Sequence, residues 1–419
     1  MKKRIIIIGG GFAGVQLVRN LDSSLFDIML IDKQNHHQFQ PLFYQVASSQ
    51  IEPASISFPL RYIFRRKSNL EIRLAEVHSV DTQNKVIHTS IGDYEFDILV
   101  IAIGCKTNFF GNAEMEKLAF SLKSTYEAIE IRNHILKLFE EMISATKENL
   151  EYLQNVVIVG GGPTGVELAG SFSEIKRYSL PKDYPQNDFS NFKVILVEGS
   201  KHTLNSMSLP SKMASESYLR KMGVHIITET FVKQYDGAHL TLSSGEIIKT
   251  KTVIWAAGVN GNTLKGFPTE AYSAGNRFKV DRSNKIVGHE GIYAIGDIAL
   301  METPLYPKGH PQLANVAINQ AKTLAYNLKA LHLNKPLKEY EYVDLGSMAT
   351  IGRNKAVVEV GNWKIKGYFA WLIWMFLHLM LILSIKNRLI IFIQWAWAYF
   401  NKNPSLRLIF SSIKPKEDS

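Results

Sequence analysis

Twice in this chain, glycines recur with the spacing that lets a backbone wrap a pyrophosphate. Gly9, Gly11 and Gly14 form the first set, and Gly160, Gly162 and Gly165 the second. In a GxGxxG turn the first glycine permits the tight bend and the second lets the backbone approach the phosphates. The third lets helix and strand pack closely, and the helix N-terminus then faces the phosphate charge. Each set is followed by an acid at the end of the next apolar run, Asp32 in the first copy and Glu198 in the second. A carboxylate there accepts hydrogen bonds from ribose hydroxyls and repels a 2′-phosphate, so Glu198 points to an unphosphorylated dinucleotide. Glu167 stands two residues after Gly165, in the first turn of the expected helix, where an acid also favours the helix dipole.

The elements that must hold these turns repeat as well. Ile5–Ile8 reads as a buried parallel strand, Val15–Leu21 as its helix and Phe26–Asp32 as the second strand. Asn155–Val159, Val166–Ile175 and Phe192–Glu198 repeat the pattern, with Lys176–Asn191, rich in Pro, Asp, Asn and Ser, expected as a surface insertion. Further strands are expected at Ile98–Ile103, Thr252–Ala256 and Gly291–Ile295, and a helix within Ser124–Lys147. From Gly367 onward the chain turns sharply apolar and aromatic.

Composition sets limits on this reading. The 419 residues suit two or three domains, and 46% hydrophobic content allows a sizeable core. A net charge of +10 suits nucleic acid, an anionic membrane or polyanionic cofactors alike. The short run Arg65-Arg66-Lys67 reads as a solvated turn, and no nucleic-acid partner is expected. The single cysteine, Cys105, excludes a redox pair and is expected as a small buried apolar residue. His37, His310 and His378 show no metal-ligand spacing and read as structural, so no metal is expected. The N-terminal apolar run stops after four residues, where a signal peptide needs about 7–15, so the protein is expected to stay in the cytoplasm.

Two such turns in one chain resemble the two-dinucleotide-binding-domain flavoproteins. Ile101-Ala102-Ile103-Gly104 resembles a short stretch of that superfamily at the flavin. Trp255-Ala256-Ala257-Gly258 resembles the strand end beside the nicotinamide, and Tyr293-Ala294-Ile295-Gly296-Asp297 the motif whose aspartate holds the ribityl chain. Within the superfamily the chain most resembles type II NADH dehydrogenase, the single-subunit NADH:quinone oxidoreductase. The stretches 39–47, 161–170, 307–312 and 346–352 carry that likeness. The family's AQxAxQ quinone motif departs here to Ala314-Asn315-Val316-Ala317-Ile318-Asn319, followed by Gln320. The amide survives with a reach one methylene shorter.

The resemblance implies an α/β fold of the glutathione-reductase-like FAD/NAD(P) kind, with two Rossmann-like domains and a C-terminal apolar membrane-associating helical region. Residues 1–115 and 276–340 are expected as two parts of an FAD domain, 116–275 as an NADH domain and 341–419 as the membrane-anchoring region. FAD would be held by Gly9, Gly11, Gly14, Asp32, Gly104 and Asp297, and NADH by Gly160, Gly162, Gly165, Glu198, Ala257 and Gly258. Glu167 would act near the nicotinamide–flavin contact, and Asn315, Asn319 and Gln320 would border the quinone. The implied activity is hydride transfer from NADH to FAD and two-electron reduction of a membrane quinone, without proton pumping. The enzyme would lie on the cytoplasmic face of the membrane, with Lys402, Arg407, Lys414 and Lys416 near anionic headgroups; one true span near 367–385 is the alternative. A homodimer is compatible with this. Two other readings stay open: a soluble ferredoxin- or rubredoxin-type reductase, and a basic nucleotide-sensing flavoprotein of the apoptosis-inducing-factor kind. Disulfide reductases and sulfide:quinone oxidoreductases need paired cysteines that this chain lacks.

Overall fold

The computed structural model describes residues 2–273, 275–402 and 406–410. Lys414 and Lys416 lie outside the described residues. The chain divides into two compact units. The first comprises Met1–Gln38, Ser57–Lys106 and Val259–Asp344, and the second Phe39–Ile56, Thr107–Gly258 and Leu345–Ser419.

In the first unit, five parallel strands run in the order Ile292–Ala294, Ile98–Ile101, Lys3–Ile8, Phe26–Asp32, Leu70–Leu74. The isoleucine run 5–8 is central and almost wholly buried, as a strand covered on both faces requires. The helices Phe12–Asn20 and Ala314–His332 pack against each other. An antiparallel sheet of Val77–Asp81, Val86–Thr89 and Gly92–Glu95 completes the unit.

The second unit repeats the design. Four parallel strands lie in the order His225–Ile227, Lys193–Val197, Asn155–Val159, Thr252–Trp255. The helix Thr125–Ser144 is opened by Ser124, whose side chain accepts from the Glu127 N–H at 3.1 Å. The helix Pro163–Glu174 does not stop where a loop was expected. It continues through a wide π turn, Ile175–Ser179, into Leu180–Asp183, and Ser179, Leu180 and Phe189 are buried. The polar composition of this insertion concealed an inward-facing side.

Ahead of the apolar region lies a three-stranded antiparallel sheet (Ser347–Gly352, Lys355–Val360, Trp363–Lys366), and the apolar region itself forms two helices, Tyr368–Leu381 and Ile385–Asn401. Arg388 separates the helices by donating to the carbonyls of Met380 and Ile382, each at 2.8 Å. Arg353 satisfies the far end of the second helix, donating to the Ala398 and Tyr399 carbonyls at 2.7 and 2.9 Å. Among the described residues no helix is long and apolar enough to cross a membrane. The span envisaged near 367–385 is therefore replaced by a 14-residue helix of about 21 Å, against the roughly 30 Å a bilayer core requires.

Candidate functional site

In the first turn the structure sorts the three glycines by role. Gly9 has φ +107°, and a Cβ there or on Gly14 would collide with a backbone carbonyl, Ala102 O or Gly9 O respectively. Gly11 meets nothing within 4 Å, so open space lies before the helix N-terminus. The Asp32 carboxylate closes the turn, accepting from the Gly10 N–H at 2.5 Å and the Gln34 N–H at 2.6 Å. Burial pushes its pKa upward against these bonds. His37 lies 3.1 Å through Nδ1 from the Gly10 carbonyl, a group that only accepts, which assigns the proton to Nδ1. Burial pulls its pKa down to about 4, so the ring is neutral, and Nε2 is a buried acceptor without a partner. An open cradle at a helix N-terminus beside an orphaned acceptor fits a dinucleotide that brings both phosphates and hydroxyl donors.

The other flavin candidates of this unit are held by a network. Gly104 has φ +65°, and its carbonyl accepts from Asn262 at 3.2 Å. Asp297 sits on the one-turn helix Gly296–Ile298. Cys105 corrects its expected burial: it is half-buried, and its thiol donates to Asp297 Oδ2 at 3.1 Å. Gln320 is wholly buried, and its Oε1 accepts from the Gly296 N–H at 2.8 Å. Asn315 and Asn319, half-buried one turn apart, bond to each other at 2.8 Å. Arg277 donates to the carbonyls of Asp297 (3.1 Å), Ala299 (2.6 Å) and His310 (3.1 Å), and Gln312 donates to Asp297 O at 3.1 Å. No motif marked Arg277, because its work is done on carbonyls that the sequence does not reveal.

The second turn follows the same plan. A Cβ on Gly160 (φ +109°) would lie 2.5 Å from Ala256 O, one on Gly165 would strike Gly160 O, and Gly162 faces open space. Glu198 accepts from the Gly161 N–H at 2.5 Å and the Ser200 N–H at 2.7 Å. Ala257 and Gly258 follow the strand end at Trp255, Gly258 at φ +142°.

Glu167 opens onto something else. Gly170, one turn along the same helix, has no room for a Cβ because the Ile351 carbonyl lies against it. Helix Pro163–Glu174 and strand Ser347–Gly352 therefore run in backbone contact, which joins two of the stretches that carried the family likeness. Along this seam the Thr350 N–H donates to Glu167 Oε1 at 3.3 Å. The carboxyl is buried, and desolvation lifts its pKa to about 8, opposed more weakly by the Thr350 N–H and by the neighbouring Trp374 indole, whose N–H makes no geometrically formed hydrogen bond among the described residues. At neutral pH it is a protonated acid. It lines an open cleft together with Tyr44, Gln45, Trp371, Trp374 and Trp395. Trp374 stacks on His378 at 4.0 Å, and the Trp395 indole donates to Gln45 Oε1 at 2.7 Å, so the C-terminal helices form one wall. Their other sides expose Phe369, Phe376, Met380, Leu389, Phe392, Ile393, Trp397 and Phe400.

Comparison with known proteins agrees with this geometry. Residues 3–321 match the pyridine nucleotide-disulphide oxidoreductase model, and residues 345–411 the NDH2 C-terminal domain model. A type II NADH:quinone oxidoreductase, Ndh, of Mycobacterium tuberculosis is 31% identical over 96% of this chain and 89% of that protein. A type II NADH:quinone oxidoreductase of Staphylococcus aureus is 28% identical, covering 87% and 92% respectively. The structure of NDH2 from Plasmodium falciparum in complex with NADH superposes with a TM-score of 0.89 at 22% identity, over 98% of this chain and 100% of that one. The sulfide:quinone oxidoreductase of Aquifex aeolicus gives 0.71 at 19% identity, over 96% and 92%, a likeness of fold alone. Two glycine turns of the dinucleotide-binding kind, a buried acid in an apolar-walled cleft, the two family matches and 31% identity to the mycobacterial enzyme over 96% of the chain make this chain a member of the type II NADH:quinone oxidoreductase family.

Proposed function

We propose that the chain works as its family does, as an FAD-dependent oxidoreductase that takes hydride from NADH and reduces a membrane quinone without pumping protons. FAD, when bound, accepts the hydride and passes the electron pair on. Gly9, Gly11, Gly14, Asp32, Gly104 and Asp297 are assigned to FAD, with His37 Nε2 accepting from one of its donors. Gln320 and Arg277 position the turn that carries Asp297. Gly160, Gly162, Gly165, Glu198, Ala257 and Gly258 are assigned to NADH, and Asn315, Asn319 and Gln320 to the border of the acceptor site.

The observation that carries the quinone reading is the cleft. It offers a quinone apolar aromatic walls and one neutral acid, Glu167, able to donate a proton to a reduced oxygen. One wall is built from helices whose outer sides are exposed Phe, Leu, Ile and Trp, which suits insertion into one leaflet of the cell membrane, on its cytoplasmic face. A soluble ferredoxin-type reductase or a nucleotide-sensing protein leaves the match over 345–411 unexplained. The test is steady-state turnover with NADH and a soluble quinone, alongside anaerobic flavin bleaching by NADH. Met375→Trp, which narrows the cleft, is expected to raise quinone KM about tenfold, a plausible loss for one obstructed apolar contact, and to leave bleaching unchanged. Unchanged quinone KM would move the quinone elsewhere.

A further inference from the structure

The cleft holds a second carboxyl group, that of the half-buried Glu174. Glu167, Ser171, Glu174 and Tyr178 line it together. Glu167, Ser171 and Glu174 fall at i, i+4 and i+7, so one helical stripe carries three oxygen-bearing side chains, and Tyr178 joins them from the π turn. The seam with the neighbouring strand keeps step with that stripe. Thr350 N–H meets Glu167, and three residues later Arg353 N–H donates to Glu174 Oε1 at 2.6 Å. Seven helical residues rise about 10.5 Å and three strand residues about 10 Å, so both carboxyls are anchored along one line. Ser171, between them in sequence, is buried and lines the same cleft. Facing Glu174 are Arg353 and Lys355 from the hairpin, and Tyr44 from the segment Phe39–Ile56. Tyr178 and Lys402 share the cleft with it.

We propose that Glu174, through Ser171, is the relay that returns a proton to Glu167 during quinone reduction. The inference rests on quinone binding in this cleft. Turning a quinone into a quinol adds two electrons, which the oxidation of NADH supplies, and two protons, one on each oxygen. For one of these, the Glu167 O–H bond breaks as the quinone O–H bond forms. The carboxylate left behind takes a proton passed along the stripe from Glu174, and Glu174 recovers one from water. Burial raises the pKa of both acids, so each holds a proton more readily than an exposed glutamate.

Glu174→Gln tests this, because the amide oxygen still accepts from the Arg353 N–H while proton exchange is lost. The expected result is unchanged anaerobic flavin bleaching by NADH and quinone KM within about twofold. The kcat with quinone should fall about tenfold or more, less than the roughly 10²–10⁴-fold of a direct general acid because Glu174 acts through Glu167. The solvent deuterium isotope effect on kcat should rise, and Glu174→Asp should recover part of the rate. Wild-type kcat and isotope effect in Glu174→Gln would overturn the relay, as would equal losses in Gln and Asp variants with raised KM, which mark a packing role. Met375→Trp separates the two levels. If it raises quinone KM while Glu174→Gln is silent, only the relay fails. If Met375→Trp is silent, the cleft reading fails first.

Discussion

Gly11 and Gly14 stand three positions apart and answer to different constraints. The fold forbids a side chain on Gly14, whereas at Gly11 it leaves open space that only a bound ligand would fill. Gly11→Val is therefore expected to purify folded, with wild-type circular dichroism, and colourless, without FAD; a yellow variant would take the flavin away from this turn. Glu167 makes a different prediction, through pH. Its pKa rises from 4.5 to about 8 on folding, so between those values the folded chain keeps a proton that the unfolded chain releases. Its contribution to stability accordingly declines as pH rises through that window. Glu167→Gln, neutral throughout, should gain Tm relative to the parent as pH climbs from 5 to 8.5, and a constant difference would rule out a buried neutral acid. Glycine spacing and strand-end acids were legible at this scale because they follow from local geometry. Arg277, Gln312 and the orphaned His37 nitrogen were not, since their partners are brought close only by folding.

Among the elements, the C-terminal helices show most clearly what pattern alone conveys. Composition announced an apolar region, but a run of Trp, Phe, Leu and Ile does not say where a helix ends. Arg388, which interrupts the run, supplies that end by binding the carbonyls of Met380 and Ile382. The burial pattern then gives each helix two faces. Trp374 and Trp395 turn inward, while Phe376 and Ile393 are 61% and 63% exposed. Replacing both exposed residues with glutamate should leave Tm nearly unchanged and lower partitioning onto anionic vesicles. Losing two buried apolar side chains, about 1.5–3 kcal/mol each, amounts to a hundredfold or more. Unaltered co-sedimentation with vesicles would point to another attachment surface. The wide turn at Ile175–Ser179 was the least legible element, because its polar sequence resembles a loop while its inner side lines the cleft.

At the scale of the whole molecule, the two units are each assembled from three separated stretches of chain. The placement of Phe39–Ile56 within the second unit could not be read from periodicity, since the reason lies in bonds such as Gln45 to Trp395. A unit made of three returning segments gains stability from any ligand that bridges them, by mass action on the folded state. Stripping FAD should thus lower Tm, and restoring FAD at about a hundred times its Kd should return roughly 2.7 kcal/mol. A melting curve insensitive to flavin would mean that the cofactor is bound without being part of the fold's support.

The contrast between open and closed glycines also bears on heredity. A change at Gly14 or Gly165 drives a side chain into backbone and yields a chain that cells degrade. A change at Gly11 or Gly162 meets only empty space, so on the proposed assignment its product would fold, accumulate and keep its exposed apolar helices while lacking a nucleotide. Such alleles would not simply be missing an enzyme. Their products would occupy the surface on which working copies depend, and their cost to the organism would grow with their abundance.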